Sequence, residues 1–364
     1  MHKKIFAVSD IHGHYTQLKA ALDEAGFSSS DDTHLLVVCG DLFDRGEENR
    51  LVFEYLRRIP NKILIRGNHE DILNRILRER RIVSVDYHNG LDRTIKEFFG
   101  SDVIREKGFL DLFGKDEEVF ALTDMIFHMC DYFETKHYIF THGWLPTEWD
   151  EAGKCKISKS FRHDRPAKWE RARFAEWYTM YRMGMTVKGK TIVCGHRAAQ
   201  FGYAFDRKRS PEDSSVFRAE GIAAIDALTV QSKRVNVLVI ENEELLFKKH
   251  EMKLKNEPFT QIRDGKKKAE LRLFDDKRKK LKIGDEIVFT NADAPSEKLC
   301  ATVVGLHYFY HFNAIAWDFD KSDLGIPEEA SSIADYMSAY YSDDEVWQKG
   351  AFVIRLQCKK TRNP

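Results

Sequence analysis

The stretch Gly40-Asp41-Leu42-Phe43-Asp44-Arg45-Gly46 decides how this chain is interpreted. It follows an apolar run from His34 to Cys39 that is typical of a buried strand. The residues that follow this strand include two carboxylates three residues apart and an arginine beside the second. A glycine stands at each end of the segment. Packing alone seldom explains so many charged residues at the end of a buried strand. The segment is therefore either an active-site loop or an ordinary solvated turn, and its context must decide.

Four other apolar runs end in the same way, with Asp, Asn or His beside glycine. They lead to Asp10-Ile11-His12-Gly13-His14, Gly67-Asn68-His69-Glu70, His142-Gly143 and Gly195-His196. Alone, each histidine would be taken as structural. Because α/β folds place their sites at the carboxyl ends of strands, five repeats of one pattern predict a single site.

Helical runs alternate with these strands. Residues 4–9 and 34–39 read as strands, while Tyr15 to Ala25 and Asn49 to Arg58 carry apolar faces typical of helices. This alternation predicts an α/β layered domain. Residues 222–225 and 235–240 read as a closing strand pair joined by a hairpin-like turn.

Composition narrows the class of protein. The 364 residues suffice for two domains, and 43% hydrophobic content supports a core. With 58 basic and 58 acidic residues, the whole chain offers no electrostatic case for nucleic acid, although a local patch remains possible. Six scattered cysteines without a CxxC indicate a reducing compartment. No apolar stretch approaches membrane-spanning length, so we expect a soluble cytoplasmic protein that does not contact membranes.

The polar residues at the strand ends are suited to metal binding. They offer only oxygen and nitrogen donors, which suit divalent Mn, Fe, Co or Zn better than thiolate sites do. We expect Mn in the site, with Fe, Zn, Co or Ni as alternatives. Six ligands are too many for one four-coordinate metal and match two metals that share a carboxylate. Two such metals clamp both oxygens of an in-line phosphoryl displacement and turn bound water into a nucleophile. The ligand candidates are Asp10, His12, Asp41, Asn68, His142 and His196.

Proton transfer and phosphate binding have candidates beside these ligands. His69 is the natural proton donor to the leaving oxygen, and Asp44 could hold its ring. Arg45 is spaced to reach a phosphate oxygen with its bidentate fork. The predicted reaction is phosphoester hydrolysis by direct attack of metal-bound hydroxide, without a phosphoenzyme.

Together these motifs resemble the calcineurin-like metallophosphoesterases and, within them, the serine/threonine phosphoprotein phosphatases, including bacterial and phage members. The resemblance covers residues 1–248 and implies a β-sandwich flanked by helices. It implies one metal on Asp10, His12 and Asp41, and a second on Asp41, Asn68, His142 and His196. It also implies that His69 and Asp44 form the acid pair and that Arg45 binds phosphate.

Two further segments bear on this resemblance. Trp169-Glu170-Arg171 is similar to a Trp-x-Arg segment that supplies a second phosphate arginine in phage-type members, which implies Arg171, with Arg173 as its rival. Ile225-Asp226-Ala227-Leu228 lacks the glycine that the family shows at its last position. Residues 154–185 interleave basic and aromatic side chains. They form either a solvated basic face over a buried aromatic stripe or a lid above a phosphate.

Residues 253–364 change character and predict a small β-rich domain. Gly265-Lys266-Lys267-Lys268-Ala269-Glu270-Leu271-Arg272 reads most simply as a charged, solvated edge. It also resembles the ASCH domain, a β-barrel related to the PUA RNA-binding fold, and implies a pocket of Lys267, Glu270 and Arg272 that contacts RNA. Lys268 stands where hydrolytic members have threonine, which favours binding over hydrolysis.

Three functions are therefore compared. The first is a metal-dependent phosphatase acting on phosphoprotein. The second is a nucleotide or RNA-end phosphatase, or a diadenosine tetraphosphatase-like hydrolase, whose second domain presents RNA or nucleotide. The third is an RNA-binding module in which catalysis is secondary.

Overall fold

A computed structural model describes residues 2–205 and 213–358. It divides into two compact units, one comprising Met1–Ile157 and Glu170–Leu246, the other Ser158–Trp169 and Phe247–Pro364. The strands up to Leu246 are β1 (His2–Val8), β2 (His34–Cys39), β3 (Lys62–Ile65), β4 (Phe133–Glu134), β5 (Tyr138–Phe140), β6 (Thr147–Trp149), β7 (Cys155–Ile157), β8 (Thr191–Cys194), β9 (Phe217–Ala219), β10 (Ile222–Ala224) and β11 (Leu238–Glu244).

Ten helices accompany these strands in the described part of the same span. They are α1 (Tyr15–Glu24), α2 (Asn49–Arg58), α3 (Asn68–Glu79), α4 (Ser84–His88), α5 (Leu91–Phe99), α6 (Asp116–His128), α7 (Pro166–Arg173), α8 (Trp177–Arg182), α9 (Gln200–Phe205) and α10 (Thr229–Ser232). The division between the two units falls inside α7.

The first unit contains two mixed sheets. The first has the strand order β11-β1-β2-β3, in which β1, β2 and β3 are parallel. The second has the order β4-β5-β8-β10-β9, with β5, β8 and β10 parallel. Because the central strands of each sheet are parallel, their carboxyl ends share one edge.

Alternating side chains place the first sheet between two apolar cores. Phe6 and Val8 of β1 join a core that includes residues of helices α1, α2, α3, α5 and α6. Ile5 and Ala7, which face the other way, join Phe140 and Val193 of the second sheet. This layering is the β-sandwich flanked by helices that the sequence predicted, and the α/β class is confirmed.

The second unit is built on a five-stranded sheet of order β12-β14-β15-β16-β13. Its strands are β12 (Lys249–Leu254), β13 (Ala269–Leu273), β14 (Glu286–Asn291), β15 (Lys298–Phe309) and β16 (Ala351–Cys358), and its helices include α11 (Asn256–Arg263), α12 (Ile333–Met337) and α13 (Asp343–Lys349). Both faces of this sheet are covered, because Val353 joins one apolar core while Phe352 and Ile354 join the other. The predicted β-rich C-terminal fold is confirmed.

Two expectations from the sequence need correction or extension. The hairpin across 222–225 and 235–240 is wrong, because β10 pairs with β8 and β9 while β11 pairs with β1 in the other sheet. Between them lies the short helix α10. Residues 158–169, from within the predicted lid, group with the C-terminal unit. The lid role itself stays a prediction.

None of the helices in the described ranges has the length and apolar character needed to cross a bilayer. The cytoplasmic location stays a prediction.

Candidate metal centre and active site

The predicted site residues follow the carboxyl ends of five strands: β1, β2, β3, β5 and β8. Six of them adopt the left-handed backbone conformation, with φ between 49° and 76°. Outside glycine this conformation costs of order 1–3 kcal/mol and persists where surrounding structure enforces it, often at functional sites. The six are Asp10, His12, Asp41, Asp44, Arg45 and His196.

Glycine at position 40 lets the strand-end loops approach each other. Its φ is +80°, and an added Cβ would lie 2.6 Å from Nδ1 of His142 and 2.7 Å from Cα of Gly67. No larger side chain fits there without displacing either neighbour. The glycine therefore permits the loops after β2, β3 and β5 to meet in a small volume.

Asp41 lies at the centre of two clusters with the donors for a metal ion. Its Oδ2 is 3.7 Å from Nε2 of His12 and 3.9 Å from Nε2 of His69. Its Oδ1 is 3.3 Å from Nε2 of His142. In the described residues, ligand atoms within 4.8 Å of one another occur in His12–Asp41–His69 and in Asp41–His142–His196. One carboxylate thus presents an oxygen to each cluster, as the shared ligand of a two-metal site does.

The hydrogen bonds of His142 test whether a cation fits this place. Its Nδ1 lies 2.8 Å from the carbonyl oxygen of Cys39, so Nδ1 carries the hydrogen. The lone pair of Nε2 then faces Oδ1 of Asn68 at 2.9 Å and Oδ1 of Asp41. Three acceptor atoms converge in a buried space, and only a proton or a metal cation between them relieves their repulsion. The residues therefore fit a divalent metal.

The charges of these groups are strongly coupled. Although burial alone would lower the pKa of His142, the Asp41 carboxylate raises it to about 10. Burial raises the pKa of Asp10 to about 6 and lowers that of His196 to about 3. Asp10 is in neither cluster: its Oδ2 accepts the backbone N–H of His196 at 3.0 Å. Its role as a ligand stays a prediction.

His69 and Asp44 form the hydrogen-bonded pair that the sequence suggested. Nδ1 of His69 lies 2.8 Å from Oδ2 of Asp44, and the two side chains are 1% and 0% exposed. The hydroxyl of Thr94 donates a second hydrogen bond to the Asp44 carboxylate. Burial would lower the pKa of His69, but the Asp41 and Asp44 carboxylates together raise it above its ordinary value.

Arg45 points its guanidinium toward the same histidines. One terminal nitrogen lies 3.0 Å from Nε2 of His12 and the other 3.1 Å from Nε2 of His69. The structure therefore brings Arg45, His69 and the metal-ligand candidates to one place, where a planar fork of donors could meet an anion.

The two rival arginines of α7 have different environments. Arg173 is buried and forms ion pairs with Asp71, at 2.6 Å, and with Asp131. Its guanidinium is thus held in ion pairs inside the unit, whereas Arg171 is exposed. The backbone around them flanks the site, because the carbonyl oxygen of Ala172 accepts the N–H of Trp144, two residues after His142.

Glu70 has a positioning role that we did not predict. Its buried carboxylate accepts the backbone N–H groups of Asp41 at 3.0 Å, Leu42 at 2.8 Å and Gly67 at 2.8 Å. It therefore holds the loops after β2 and β3 together at the start of α3. The signal was present, since a glutamate three residues after a helix N-cap commonly reaches back to the backbone there.

Leu228 replaces the glycine that the family resemblance led us to expect, yet the turn is kept. Its φ is 57°, a left-handed conformation that suits glycine better. Its backbone N–H donates to Oδ1 of Asp226 at 2.7 Å, which helps to hold the turn. The missing glycine thus leaves local backbone strain without removing the turn.

The motif residues of the second unit also meet, but mostly inside the unit. Nζ of Lys267 lies 3.5 Å from Oε2 of Glu270 and donates to the carbonyl oxygen of Leu324 at 2.6 Å. Arg272 pairs with the other oxygen of Glu270. Lys267 and Glu270 are buried, and burial lowers the pKa of Lys267. The cluster is more than a solvated edge, and its part in ligand binding stays a prediction.

Comparison with known proteins agrees with this geometry. Residues 3–225 match the family model of the calcineurin-like phosphoesterases, and residues 252–357 match that of the ASCH domain. Both resemblances noted in the sequence are thereby confirmed.

Curated relatives include phosphatases and a nucleotide hydrolase. Shewanella-like protein phosphatase 1 of Plasmodium berghei is 28% identical over 158 residues, which are 39% of either chain. Serine/threonine-protein phosphatase 2 of Salmonella typhimurium is 41% identical over 70 residues, or 19% of this chain and 31% of the relative. The symmetrical bis(5'-nucleosyl)-tetraphosphatase of Buchnera aphidicola is 25% identical over 169 residues, or 43% and 54%. The chain thus spans about half, or less, of each relative's length.

Replacing Arg173 by leucine should destabilise the first unit. The change removes the cation paired with buried Asp131 and partly buried Asp71, and breaking a buried ion pair typically costs about 3–5 kcal/mol. Urea denaturation of the Arg173→Leu variant measures the loss. Arg171→Leu, on the exposed side of the same helix, should change the free energy of unfolding by less than about 0.5 kcal/mol. Equal losses in the two variants would contradict the assignment of Arg173 to the interior.

Replacing Glu70 by glutamine should weaken metal binding. The amide nitrogen would face one of three backbone N–H donors, so the Asp41 loop would shift. Partners behind a ligand typically contribute about 10–100-fold in metal affinity. Titration calorimetry with Mn²⁺ measures the change, and Glu79→Gln, an exposed position on the same helix, is the matched control. Unchanged affinity in Glu70→Gln would show that the loop holds its shape without this carboxylate.

Proposed function

Because this chain belongs to the calcineurin-like phosphoesterase family, we propose that it is a metal-dependent phosphatase of phosphomonoesters, most like a serine/threonine protein phosphatase. One observation carries the proposal: the buried His69–Asp44 pair lies beside Asp41, the carboxylate shared by two metal-ligand clusters. A proton donor is thus held next to a place for two cations.

The metal ligands proposed here are those that the resemblance implies, and the clusters around Asp41 support His12, Asp41, His142 and His196. The first cluster contains His69 rather than Asp10, and we assign His69 to proton transfer. Asp10, His12 and Asp41 would hold one divalent ion, and Asp41, Asn68, His142 and His196 would hold the other. Mn²⁺ suits this mixture of imidazole, amide and carboxylate, while Fe, Zn, Co or Ni are alternatives. When bound, the two ions would supply a nucleophile from water at neutral pH and offset the charge of the phosphate oxygens.

The chain's own residues bind the phosphate and move the proton. His69 donates its Nδ1 hydrogen to Asp44, which fixes the ring and leaves Nε2 directed into the site. A proton on Nε2 is then delivered to the leaving oxygen as the phosphoester bond breaks. Arg45, whose guanidinium lies within 3.1 Å of this nitrogen, binds two phosphate oxygens with its fork. Exposed Arg171 supplies a second phosphate contact.

A second candidate is a nucleotide or RNA-end phosphatase, or a diadenosine tetraphosphatase-like hydrolase. Support comes from the match to the ASCH domain and from the relative named as a bis(5'-nucleosyl)-tetraphosphatase. In this version Lys267, Glu270 and Arg272 of the ASCH pocket contact RNA and present it. The domains would comprise residues 1–248 and 253–364, with 154–185 as a lid. A pure RNA-binding module with secondary catalysis is the third possibility.

A panel of substrates separates these functions. Hydrolysis by the purified chain with Mn²⁺ is compared for a phosphopeptide, diadenosine tetraphosphate, a cyclic nucleotide, and 5′- and 3′-phosphorylated RNA. Preference for the phosphopeptide supports the protein phosphatase. Preference for nucleotide or RNA favours the second candidate. Absence of metal-dependent turnover on all of them would refute both enzymatic proposals.

Replacing His69 by asparagine should lower kcat by about 10²–10⁴-fold, because the leaving oxygen loses its proton donor. Mn²⁺ titration should show that both ions still bind. His137→Asn is the matched control, since His137 also pairs with a carboxylate, Glu243 at 3.0 Å, outside the site. Full activity in His69→Asn would exclude this histidine as the acid.

Removing divalent metal with a chelator should abolish hydrolysis and lower thermal stability. Bound ions stabilise the folded state alone, and ligand at 100 times its Kd contributes about 2.7 kcal/mol to its stability. Mn²⁺ should restore both properties in the native chain. In the Asp41→Asn variant, Mn²⁺ should restore neither hydrolysis nor thermal stability. If the melting temperature of the native chain did not depend on metal, the two-ion site would be contradicted.

A further inference from the structure

The second unit contains an open cleft of about 690 Å³, lined in part by residues from the predicted lid segment 154–185. Three stretches of chain line it: residues 160–168, residues 274–279 and residues 308–310, with Gln348 and Lys349 at one side. All of them belong to one compact unit. Lys267, Glu270 and Arg272 belong to the same unit but do not line the cleft, so it is distinct from their cluster.

Aromatic rings form the floor of this cleft. The ring of Phe274 lies 5.2 Å from that of His163 and 5.2 Å from that of Tyr308, measured between centroids. Tyr308 and Tyr310 are 38% and 57% exposed. Burial lowers the pKa of His163 to about 4, so its ring is neutral at physiological pH. Flat, uncharged and partly exposed rings suit another flat ring by stacking.

One wall of the cleft offers an unused hydrogen-bond acceptor. Asp164 is 6% exposed, and its Oδ1 accepts from Ser160 at 2.8 Å and from Lys168 at 3.1 Å. Its Oδ2 is buried and has no hydrogen-bond partner in the described part of the chain. A buried acceptor without a donor is costly, so a ligand N–H group would be favoured once the Asp164 side chain turns to expose this oxygen to the cleft. The exocyclic amino groups of cytosine, adenine and guanine are such donors.

The rim of the cleft is rich in cations. Lys168, Lys279 and Lys349 line it and are exposed, and Lys277 and Lys280 flank Lys279 in sequence. Asp275 and Asp276 also line the cleft, where Asp275 pairs with Arg278 and Asp276 with Lys279. Lys168 and Lys349 likewise pair with Asp164 and Glu345, so phosphates would exchange with these carboxylates for the lysines. Lysines spread along an edge are better placed to contact several successive phosphates than one isolated phosphate. A basic rim around stacking rings is the arrangement that binds single-stranded nucleic acid.

We propose that this cleft is a base-stacking site for single-stranded RNA. A base stacks on Tyr308 and Tyr310, an exocyclic amino group donates to Oδ2 of Asp164, and the rim lysines follow the phosphates. Bases with an amino group are thus preferred to uracil. This inference rests on the proposed RNA contact of the second domain and gives it a different location.

Binding of fluorescein-labelled decamers of cytidine, adenosine and uridine to the full chain tests the proposal. The native protein should bind the cytidine and adenosine decamers at least about fivefold more tightly than the uridine decamer. Tyr310→Ala, at an exposed position where folding is not at risk, should weaken cytidine binding about tenfold, as should Tyr308→Leu. Asp164→Asn should reduce or reverse the preference against uridine, because its amide donates to the O4 atom of uracil.

Arg272→Gln provides the comparison with the motif pocket. If it leaves cytidine binding intact while the tyrosine variants lose it, the cleft is the binding site. If Arg272→Gln abolishes binding and both tyrosine variants retain it, the cleft proposal is wrong while the RNA contact of the domain stands. If the native chain binds no decamer, both fail. Phosphatase turnover and melting temperature of each variant are measured alongside, so that loss of fold or of catalysis is distinguished from loss of RNA binding.

Discussion

The structure of the first unit depends on one constraint: acceptor atoms from five loops must meet in a buried space around the Asp41 carboxylate. Parallel strands bring the loops to one edge, but they do not force the side chains inward. Turning the side chains inward requires left-handed backbone at several non-glycine residues and glycine at position 40. It also requires the hydrogen bonds by which Glu70 joins the loops after β2 and β3. The apolar sandwich stabilises this strained arrangement, and bound cations would offset its repulsion.

Much of this could be predicted because the decisive signals are local. Each ligand candidate directly follows an apolar run, so the strand, its end and the chemistry are read from fewer than ten consecutive residues. The pairing of His69 with Asp44 could also be inferred, since both lie at ends of neighbouring strands. The α/β class follows from the same alternation.

The features that could not be predicted depend on contacts distant in sequence. The strands β10 and β11 look like hairpin partners because they are close in the chain, yet one completes the second sheet and the other pairs with β1. Arg173 and Arg171 are alike in sequence, and only the ion pairs of Arg173 with Asp71 and Asp131 distinguish them. Similarly, the amino-acid composition of residues 158–169 does not indicate that they group with the C-terminal unit.

Histidine ligands at both proposed metal positions are oriented by the same short loop. Nδ1 of His142 donates to the carbonyl of Cys39, and Nδ1 of His12 lies 3.0 Å from the carbonyl of Phe43. These two carbonyls therefore select the tautomer of both imidazoles and leave Nε2 as the bare nitrogen in each. Since five residues set this choice, a change in loop shape would alter the basicity of ligands at the two positions together. The two metal affinities are thus expected to vary as a linked pair rather than independently.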